Sequence, residues 1–398
     1  MTEKDRLIIN LEEETDDRYS RLRLIPWWDE ERLKSTKVLV IGAGALGNEI
    51  MKNLALVGVG QIIILDMDSV ENSNLSRSVL FREKDEGRNK AEAAAEMARE
   101  INPDCRVHWI AANAVYDLGL GVYRWADLVL GGLDNREARL SINQSCWKVN
   151  RPWIDGAIEV LFGVARVFIP PHSACYECTM NETDYKLLNQ RRSCALLTRK
   201  DMLAGKVPTT PTIASVVAGI QVQEALKLIH RREELPLLEG KGYFFNGLTY
   251  DSYVVEYDRR ENCPSHEHYE LIEELPLKVE ETTLAELLAA VEKKMGAKAQ
   301  LELEKELVTE LRCEKCDTEE PCFKALGRVT EDEARCERCG EIRLPEMTYV
   351  IKGDEPYLQR TLAEIGIPGL EVVAGRSGGQ ISYFELTGDR GKVLGPLA

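Results

Sequence analysis

The chain has 398 residues, and because a single hydrophobic core rarely grows beyond about 250–300 residues, we expect two domains. Its composition, with 44% hydrophobic and 30% charged residues, is that of a soluble globular protein, and a net charge of −16 without a basic stripe argues against nucleic-acid binding. No apolar run approaches the roughly 20 residues of a membrane span, and the acidic N-terminus lacks a signal-peptide pattern. We therefore expect a cytoplasmic protein that does not bind membranes.

An alternation of strands and helices begins at residue 37. KVLVI (37–41) has the pattern of a buried strand, GAGALG follows it directly, and an apolar-periodic helix leads to a second buried strand, QIIILD, which ends at Asp66. A helix over 88–101, strands in CRVHWI and DLVLGG, and a helix over 136–149 continue the alternation. This order predicts an α/β fold with a doubly wound, Rossmann-like sheet.

After Gly156 the pattern changes. GVARVFIP predicts a strand, and residues 179–210 are polar and irregular. A long helix then begins, with Thr210 as its cap and Pro211 in its first position. Two more strands follow, in KGYFFNG and DSYVVEY, so the first domain should end soon after His266.

The last third of the chain has the pattern of a smaller α+β domain. TLAELLAAVEKKMG predicts an amphipathic helix capped by Thr282 or Thr283, flanked by short strands in LPLKVE and LELEKELVTELR, and QISYFELTG predicts a later strand. We place an N-terminal arm over 1–34, the first domain over 35–275 and the second over 276–398.

The glycine-rich loop predicts a nucleotide site. In GxGxxG, Gly42 allows a tight turn, Gly44 lets phosphates approach the backbone, and Gly47 permits close helix packing. Asp66, at the end of the next strand, can bond a ribose hydroxyl. These residues alone fit an NAD-dependent dehydrogenase equally well.

Polar residues after Asp66 favour a nucleoside triphosphate site over the NAD site of a dehydrogenase. Asn74 and Arg77 follow in a loop, Lys90 lies just inside the next helix, and Asp134 lies at the carboxyl end of a later strand. Ligands bind at this edge of such sheets, two cations suit a triphosphate, and a carboxylate suits magnesium. A dehydrogenase needs no such set. The alternative is that Arg77 and Lys90 are solvated surface charges, which either one alone would suggest.

Together these motifs resemble the ThiF-type adenylating family, which includes ubiquitin-activating enzymes and the adenylyltransferases of molybdopterin and thiamine synthesis. The resemblance rests on GAGALG, D-x₇-N-x₂-R, a lysine thirteen residues after that arginine, and LDN. It covers about residues 18–266, including RYSR at 18–21.

The resemblance implies an ATP site that is completed by a second subunit. It assigns magnesium to Asp134, and it implies that Arg21 reaches into the partner's site in a homodimer. The contacts that it implies for ATP are Asp66 to the ribose and Asn74, Arg77 and Lys90 to the phosphates.

Eleven cysteines, an odd number, argue for metal binding or catalysis rather than a disulfide scaffold. Cys175 and Cys178 form one metal-type pair, and Cys263 with His266 forms another. In the family that the chain resembles, two CxxC pairs at these places hold a structural zinc, and three cysteines with one histidine are an accepted set. His268 is the alternative fourth ligand, and unrelated free residues are the alternative to a metal site.

Two further CxxC pairs frame nineteen residues, which is a zinc-ribbon spacing. We predict a second structural zinc in a ribbon over 313–339, with Cys322 between the pairs as a spare thiol. The ligands of this second set are Cys313, Cys316, Cys336 and Cys339.

Cys194 is the candidate nucleophile. It lies in the 179–210 loop beside Arg191 and Arg192, with two more cations downstream, and nearby cations favour the reactive thiolate. Its position matches the active cysteine of the family that the chain resembles. The alternative is an incidental loop cysteine.

The resemblance implies ATP-dependent adenylation of the C-terminal glycine carboxylate of a ubiquitin-like protein, thioester formation on Cys194, and transfer to a conjugating enzyme, as in bacterial ubiquitin-like conjugation operons. The alternative is a sulfur-carrier-protein adenylyltransferase that feeds thiocarboxylate formation; such enzymes often carry a rhodanese domain, whose active loop we do not find. From Glu267 to Glu320 the chain has 16 acidic and 7 basic residues. This segment is either a solvated surface or a docking face for a basic partner, in a role similar to that of the domain that recruits conjugating enzymes.

Overall fold

The computed structural model describes residues 17–186 and 208–398. The predicted nucleophile, Cys194, and the four cations near it lie outside the described residues. Within them, the chain forms an eight-stranded sheet followed by a six-stranded sheet.

The first sheet confirms the Rossmann-like prediction. Its strands are β1 (Lys37–Ile41), β2 (Gln61–Leu65), β3 (Arg106–Ile110), β4 (Leu128–Gly131), β5 (Trp153–Glu159), β6 (Phe162–Phe168), β7 (Lys241–Asn246) and β8 (Asp251–Glu256). Their order is β3-β2-β1-β4-β5-β6-β7-β8, with parallel pairing from β3 to β5 and antiparallel pairing from β5 to β8. Chain order reverses between β1 and β4, which is where such sheets bind ligands.

Helices cover both faces of this sheet because its central strands are apolar on both sides. Val38 and Val40 face one core, whereas Leu39 and Ile41 face the other. The helices are α1 (Glu30–Ser35), α2 (Ala45–Val57), α3 (Lys90–Ile101), α4 (Leu120–Trp125), α5 (Arg136–Lys148) and α6 (Pro211–His230). Helices α2, α3 and α6 pack on the first face, and α4 and α5 pack on the second.

Helix α6 begins as predicted, with the Thr210 side chain accepting from the Ile213 N–H and Pro211 in the first turn. By length and composition it could cross a membrane, so the expectation that no apolar run approaches that length is wrong. The helix nevertheless packs in the core of the first sheet. Its buried Gln221 and Glu224 have hydrogen-bond partners inside the protein, as a core helix requires.

The last third of the chain is α+β, as predicted. Its strands are β9 (Ile272–Leu275), β10 (Gln300–Cys313), β11 (Thr318–Ala325), β12 (Leu344–Ile351), β13 (Val372–Ser377) and β14 (Gln380–Leu386), and its helices are α7 (Leu284–Met295), α8 (Glu331–Ala334) and α9 (Arg390–Leu394). The strand order is β11-β10-β13-β14-β9, and β12 pairs with β10. Thr283 caps α7 through a capping box with Glu286.

The predicted strand in LPLKVE is wrong. Strand β9 ends at Leu275, because Pro276 has no N–H with which to continue a strand ladder. Strand β9 pairs in parallel with β14, so a strand placed before the predicted boundary at 275 belongs to the second sheet. The domain boundaries themselves stay a prediction.

The second part packs against the α4 and α5 side of the first sheet. Leu370, Val372, Leu394 and Leu397 share a core with residues of those helices. The Gly121 N–H donates to the Leu370 carbonyl at 2.8 Å. The two parts of the chain are therefore joined by packed apolar side chains as well as by hydrogen bonds.

Candidate active site and metal centres

The glycine-rich loop between β1 and α2 leaves open space at one position. A Cβ on Gly42, whose φ is +95°, would lie 2.5 Å from the Gly132 carbonyl oxygen, and a Cβ on Gly47 would collide with the Gly42 carbonyl. A Cβ on Gly44 would meet nothing within 4 Å. The first and third glycines are therefore required by packing, while Gly44 borders the space into which a ligand would enter.

Asn48 braces this loop from inside the first turn of α2. Its Nδ2 group donates to the Ala43 carbonyl at 2.7 Å and to the Gly44 carbonyl at 3.1 Å, and its Oδ1 accepts from the Leu80 N–H at 2.8 Å. The last bond ties the chain after Arg77 to the glycine loop. The sequence patterns do not single out Asn48; an asparagine in an apolar helix is the signal that could have found it.

Asp66 lies against the same loop. Its Oδ2 accepts from the Ala43 N–H at 2.7 Å and its Oδ1 accepts from the Asp68 N–H at 2.8 Å. Burial raises the pKa of Asp66, while these two bonds and the charge of Lys90 act in the opposite direction. A carboxylate has about four lone-pair sites, so Asp66 retains acceptor capacity for hydroxyl groups.

Lys90 is the first residue of α3 and is brought close to Asp66. Its Nζ pairs with Asp68 Oδ2 at 2.9 Å, and its side chain is only 13% exposed. Asn89 caps the helix and donates to the Asp66 carbonyl at 3.0 Å. Asp68 thus holds the Lys90 ammonium group at the carboxyl edge of the sheet, and a phosphate could take the place of Asp68 as its partner.

Asn74 and Arg77 share one turn. The Asn74 Oδ1 accepts from the Glu71 N–H at 3.0 Å, and the Arg77 guanidinium donates to the Ser73 carbonyl at 2.6 Å. Among residues 17–186 and 208–398, no carboxylate lies within ion-pair distance of Arg77, so none of these competes with a ligand for its guanidinium. Such a cation is suited to an anionic ligand.

Asp134 follows β4, on the other side of the point where chain order reverses. It is exposed, and among the described residues its side chain has one hydrogen-bond partner, the Asn135 amide at 3.3 Å. Asn135 caps α5 by accepting from the Ala138 N–H. Because Gly132 touches Gly42, the segment that carries Asp134 adjoins the glycine loop.

The segment that carries Asp134 is held by a buried network of side chains, which the sequence patterns do not reveal. Asp155, fully buried in β5, accepts from Arg139 Nε at 3.0 Å and from Arg166 Nε at 3.0 Å. Arg139 also donates to the Leu133 carbonyl, and Gln221 donates to the Gly131 carbonyl at 2.9 Å. Buried side chains therefore fix the backbone on both sides of Gly132 and so position Asp134.

The first predicted metal set converges. The Cys175 sulfur lies 3.6 Å from that of Cys178 and 3.5 Å from that of Cys263, and the Cys178 sulfur lies 3.4 Å from His266 Nε2. Sulfurs at about 2.3 Å from a tetrahedral zinc would be roughly 3.8 Å apart, so the spacing fits. The structure places His266 in the set, whereas the alternative ligand, His268, is exposed.

The surroundings of this set suit a metal. Hydrogen bonds from the thiols of Cys175 and Cys263 and from the Arg260 N–H lower the pKa of Cys178, which favours a thiolate ligand. His266 stacks on Trp147 with ring centroids 5.3 Å apart, and this contact orients its ring. These residues would hold a zinc ion that ties the chain before β9 to the segment after β6.

The second metal set also converges. The Cys313 sulfur lies 3.6 Å from that of Cys339. Cys313 ends β10 and Cys316 lies in the turn after it, while Cys336 and Cys339 lie at the turn that precedes β12. Backbone N–H groups of Cys339 and Arg338 lower the pKa of Cys336 to about 6. Cys322 lies outside both sets and packs, half-buried, on a small apolar cluster. All ligand atoms of the set lie within 4.8 Å of one another; they belong to Cys313, Cys316, Cys336 and Cys339.

We expect elemental analysis of protein purified without added metal to give two zinc ions per chain, because two complete donor sets converge. Cys263→Ser should lower the value to one, and Cys336→Ser should do the same through the other set. Cys322→Ser is the matched control and should leave the value unchanged. A wild-type value near one would mean that one set is empty, and the two ligand variants would show which.

The fold and the polar residues at the β1–β4 edge define a nucleotide-binding α/β protein. Residues 17–265 match the ThiF family, and the chain belongs to that family. The match ends before the second sheet begins.

The chain is similar to two activating enzymes, which it covers to different extents. It is 32% identical over 257 residues to the SAMP-activating enzyme E1 of Haloferax volcanii, covering 62% of this chain and 87% of that protein. It is 40% identical over 176 residues to the NEDD8-activating enzyme E1 catalytic subunit of Caenorhabditis elegans, covering 39% of this chain and 40% of that one. The chain thus spans about two fifths of the length of the second relative.

Among solved structures, the chain is similar to Escherichia coli MccB crystallised with ATP. Sequence identity is 26%, the TM-score is 0.51, and the match covers 63% of this chain and 75% of MccB. Together with the relatives, this confirms the resemblance to the ThiF-type, ubiquitin-activating-like family.

Proposed function

We propose that this protein activates a ubiquitin-like protein by using ATP to adenylate its C-terminal glycine carboxylate. One observation carries the proposal. The open glycine loop lies beside Asp66, Lys90 and the segment of Asp134, at the point where chain order reverses. The names of the two activating enzymes that are similar to the chain support the choice of substrate class.

The reaction joins two anions, and charge neutralisation is therefore its main requirement. A carboxylate oxygen of the carrier attacks the α-phosphorus of ATP, the bond to the β-phosphate oxygen breaks, and pyrophosphate leaves with the electron pair. Arg77 and Lys90 would neutralise the phosphate oxygens, and Asp66 would hold the ribose. Asp134 would bind magnesium, which supplies further shielding of the phosphates. Positioning and charge, rather than covalent bonds to the protein, do most of the work.

The place of Arg21 supports a role outside the site of its own chain. Tyr19 is buried against Gly58, and its hydroxyl accepts from Asn102 Nδ2 at 2.7 Å. Gly58 ends α2, whose 13 residues at about 1.5 Å each separate it from Gly44 by about 20 Å. Arg21, two residues after Tyr19, is exposed. We therefore propose a homodimer in which Arg21 enters the partner's site.

Subunit mixing tests this proposal. Arg21→Ala and Asp134→Ala should each lose ATP–pyrophosphate exchange in the presence of the carrier, because every site lacks one group. Mixed dimers regain one complete site, so an equimolar mixture that exchanges subunits freely should recover about a quarter of the wild-type rate.

The controls distinguish a failure of the homodimer proposal from a failure of the proposed substrate. Wild-type exchange should require a carrier that ends in glycine and should disappear when that glycine is removed. If Arg21→Ala alone keeps the wild-type rate, or if the mixture recovers nothing although differently tagged subunits co-purify as mixed dimers, Arg21 does not act in the partner's site. If the wild type exchanges without any carrier, the proposed substrate is wrong.

Beyond adenylation, we propose that Cys194 accepts the carrier as a thioester and passes it to a conjugating enzyme. Support comes from the place of Cys194 in the sequence, between the first metal pair and α6, and from the cations that flank it. The dipole at the N-terminus of α6 would favour a thiolate there if the loop brings the sulfur close.

A further inference from the structure

Strand β12 has an open edge. It pairs with β10 along 301–312 on one side, and within the described parts of the chain no strand pairs with its other side. Unprotected edges invite another strand, so proteins usually cover them or place charges along them. Here the strand instead exposes Leu344, Met347 and Tyr349, at 52%, 47% and 58%.

Only part of this edge is blocked. Pro345 has no N–H and cannot donate to an added strand. Backbone groups of successive strand residues point to opposite sides, and the Glu346 carbonyl accepts from Thr309 of β10 at 3.2 Å. The N–H and C=O groups of Val350 bond to the Thr348 side chain. The groups that a partner strand can use are therefore those of Met347 and Tyr349. Met347 and Tyr349 are two residues apart, so they project on the same face and offer neighbouring apolar contacts to an added strand.

The surroundings of the edge have excess negative charge. Arg312 is shared among Asp317, Glu319 and Glu346 at 3.6 to 4.0 Å. Glu310 lies directly opposite Glu346 across the β10–β12 pair, and like charges in this position repel. One arginine therefore faces four carboxylates, and an incoming cation would relieve their repulsion.

We propose that the β12 edge, residues 346–350, docks an extended basic segment of a partner protein as an added β-strand. Backbone bonds would give affinity, Met347 and Tyr349 would contact apolar side chains, and Glu346 with Glu310 would select lysine or arginine. Pairing with a second copy of β12 would bring more carboxylates together, so a basic partner fits better. This inference does not depend on the proposed adenylation.

Hydrogen exchange on the full chain tests the inference without ATP. The probe is a decapeptide of alternating lysine and valine, and its control has glutamate in place of lysine. We expect the lysine peptide to protect the amides of Met347 and Tyr349 and to bind less tightly as salt is added. Glu346→Lys should weaken binding by about tenfold, and Tyr349→Ser should weaken it as well. Leu271→Ser, at a residue that is 70% exposed elsewhere, should bind like the wild type.

Four results would overturn the inference. The lysine peptide could leave 346–350 unprotected, or the glutamate peptide could bind equally well. Protection at low protein concentration without peptide would show that this chain covers its own edge. Protection that rises with protein concentration, together with a sedimenting dimer lost in Tyr349→Ser, would assign the edge to a second copy. Unchanged zinc content would show that each variant keeps its fold.

Discussion

Asp134→Ala should lower carrier-dependent ATP–pyrophosphate exchange by about 100- to 1,000-fold, a loss typical of removing one charge-stabilising group from an active site. The side chain is exposed, and Asn135 is its one hydrogen-bond partner among the described residues. Alanine there should therefore leave the melting temperature within about a degree of wild type. Exchange is measured by incorporation of labelled pyrophosphate into ATP.

Two further variants make this result specific. Asp134→Asn keeps the shape but removes the charge, so it should lose nearly as much activity, and added magnesium should restore part of it. Asp251→Ala removes another exposed carboxylate, from β8 at the far edge of the sheet, and should retain full exchange. Near-wild-type exchange in Asp134→Ala would remove this carboxylate from the mechanism.

The first half of the fold follows from local sequence signals. In β1 and β2 every side chain is apolar apart from the first, and glycines stand where the chain must turn, so a parallel sheet is the consistent interpretation. The metal sets are equally local, because each is built from close pairs of cysteine or histidine. Spacing alone does not show which of the four pairs belong together, and the resemblance to the ThiF-type family is what joined Cys175/Cys178 to Cys263/His266; the structure brings these four residues together.

Long-range burial of polar groups could not be predicted in the same way. Arg139 lies on a helix where an arginine is usually solvated, and Asp155 interrupts the apolar pattern of β5. Asp155 is stable in the core because Arg139 and Arg166 both pair with it, and Arg139 is stable there because it pairs with Asp155. Strand β12 was also not predicted, because Pro345 and Glu346 interrupt its apolar pattern.

Cys194→Ala should abolish the thiol-sensitive carrier adduct on a non-reducing gel while leaving ATP–pyrophosphate exchange intact. In the proposed step the Cys194 thiolate attacks the carbonyl carbon of the acyl-adenylate, the C–S bond forms, and the C–O bond to the phosphate breaks, which releases AMP. Adenylation precedes this step and uses other groups, so the variant should separate the two reactions. Transfer to a conjugating enzyme should be lost with the adduct.

The matched control is Cys322→Ala, because Cys322 belongs to neither metal set and burial raises the pKa of its thiol, which disfavours the thiolate. That variant should form the adduct at the wild-type rate. An adduct that persists in Cys194→Ala and vanishes in Cys322→Ala would place the nucleophile in the second sheet. If no adduct forms in the wild type but a sulfide or persulfide donor converts the adenylate to a thiocarboxylate, the protein serves a sulfur carrier, because the sulfur then comes from the donor and not from a cysteine of this chain.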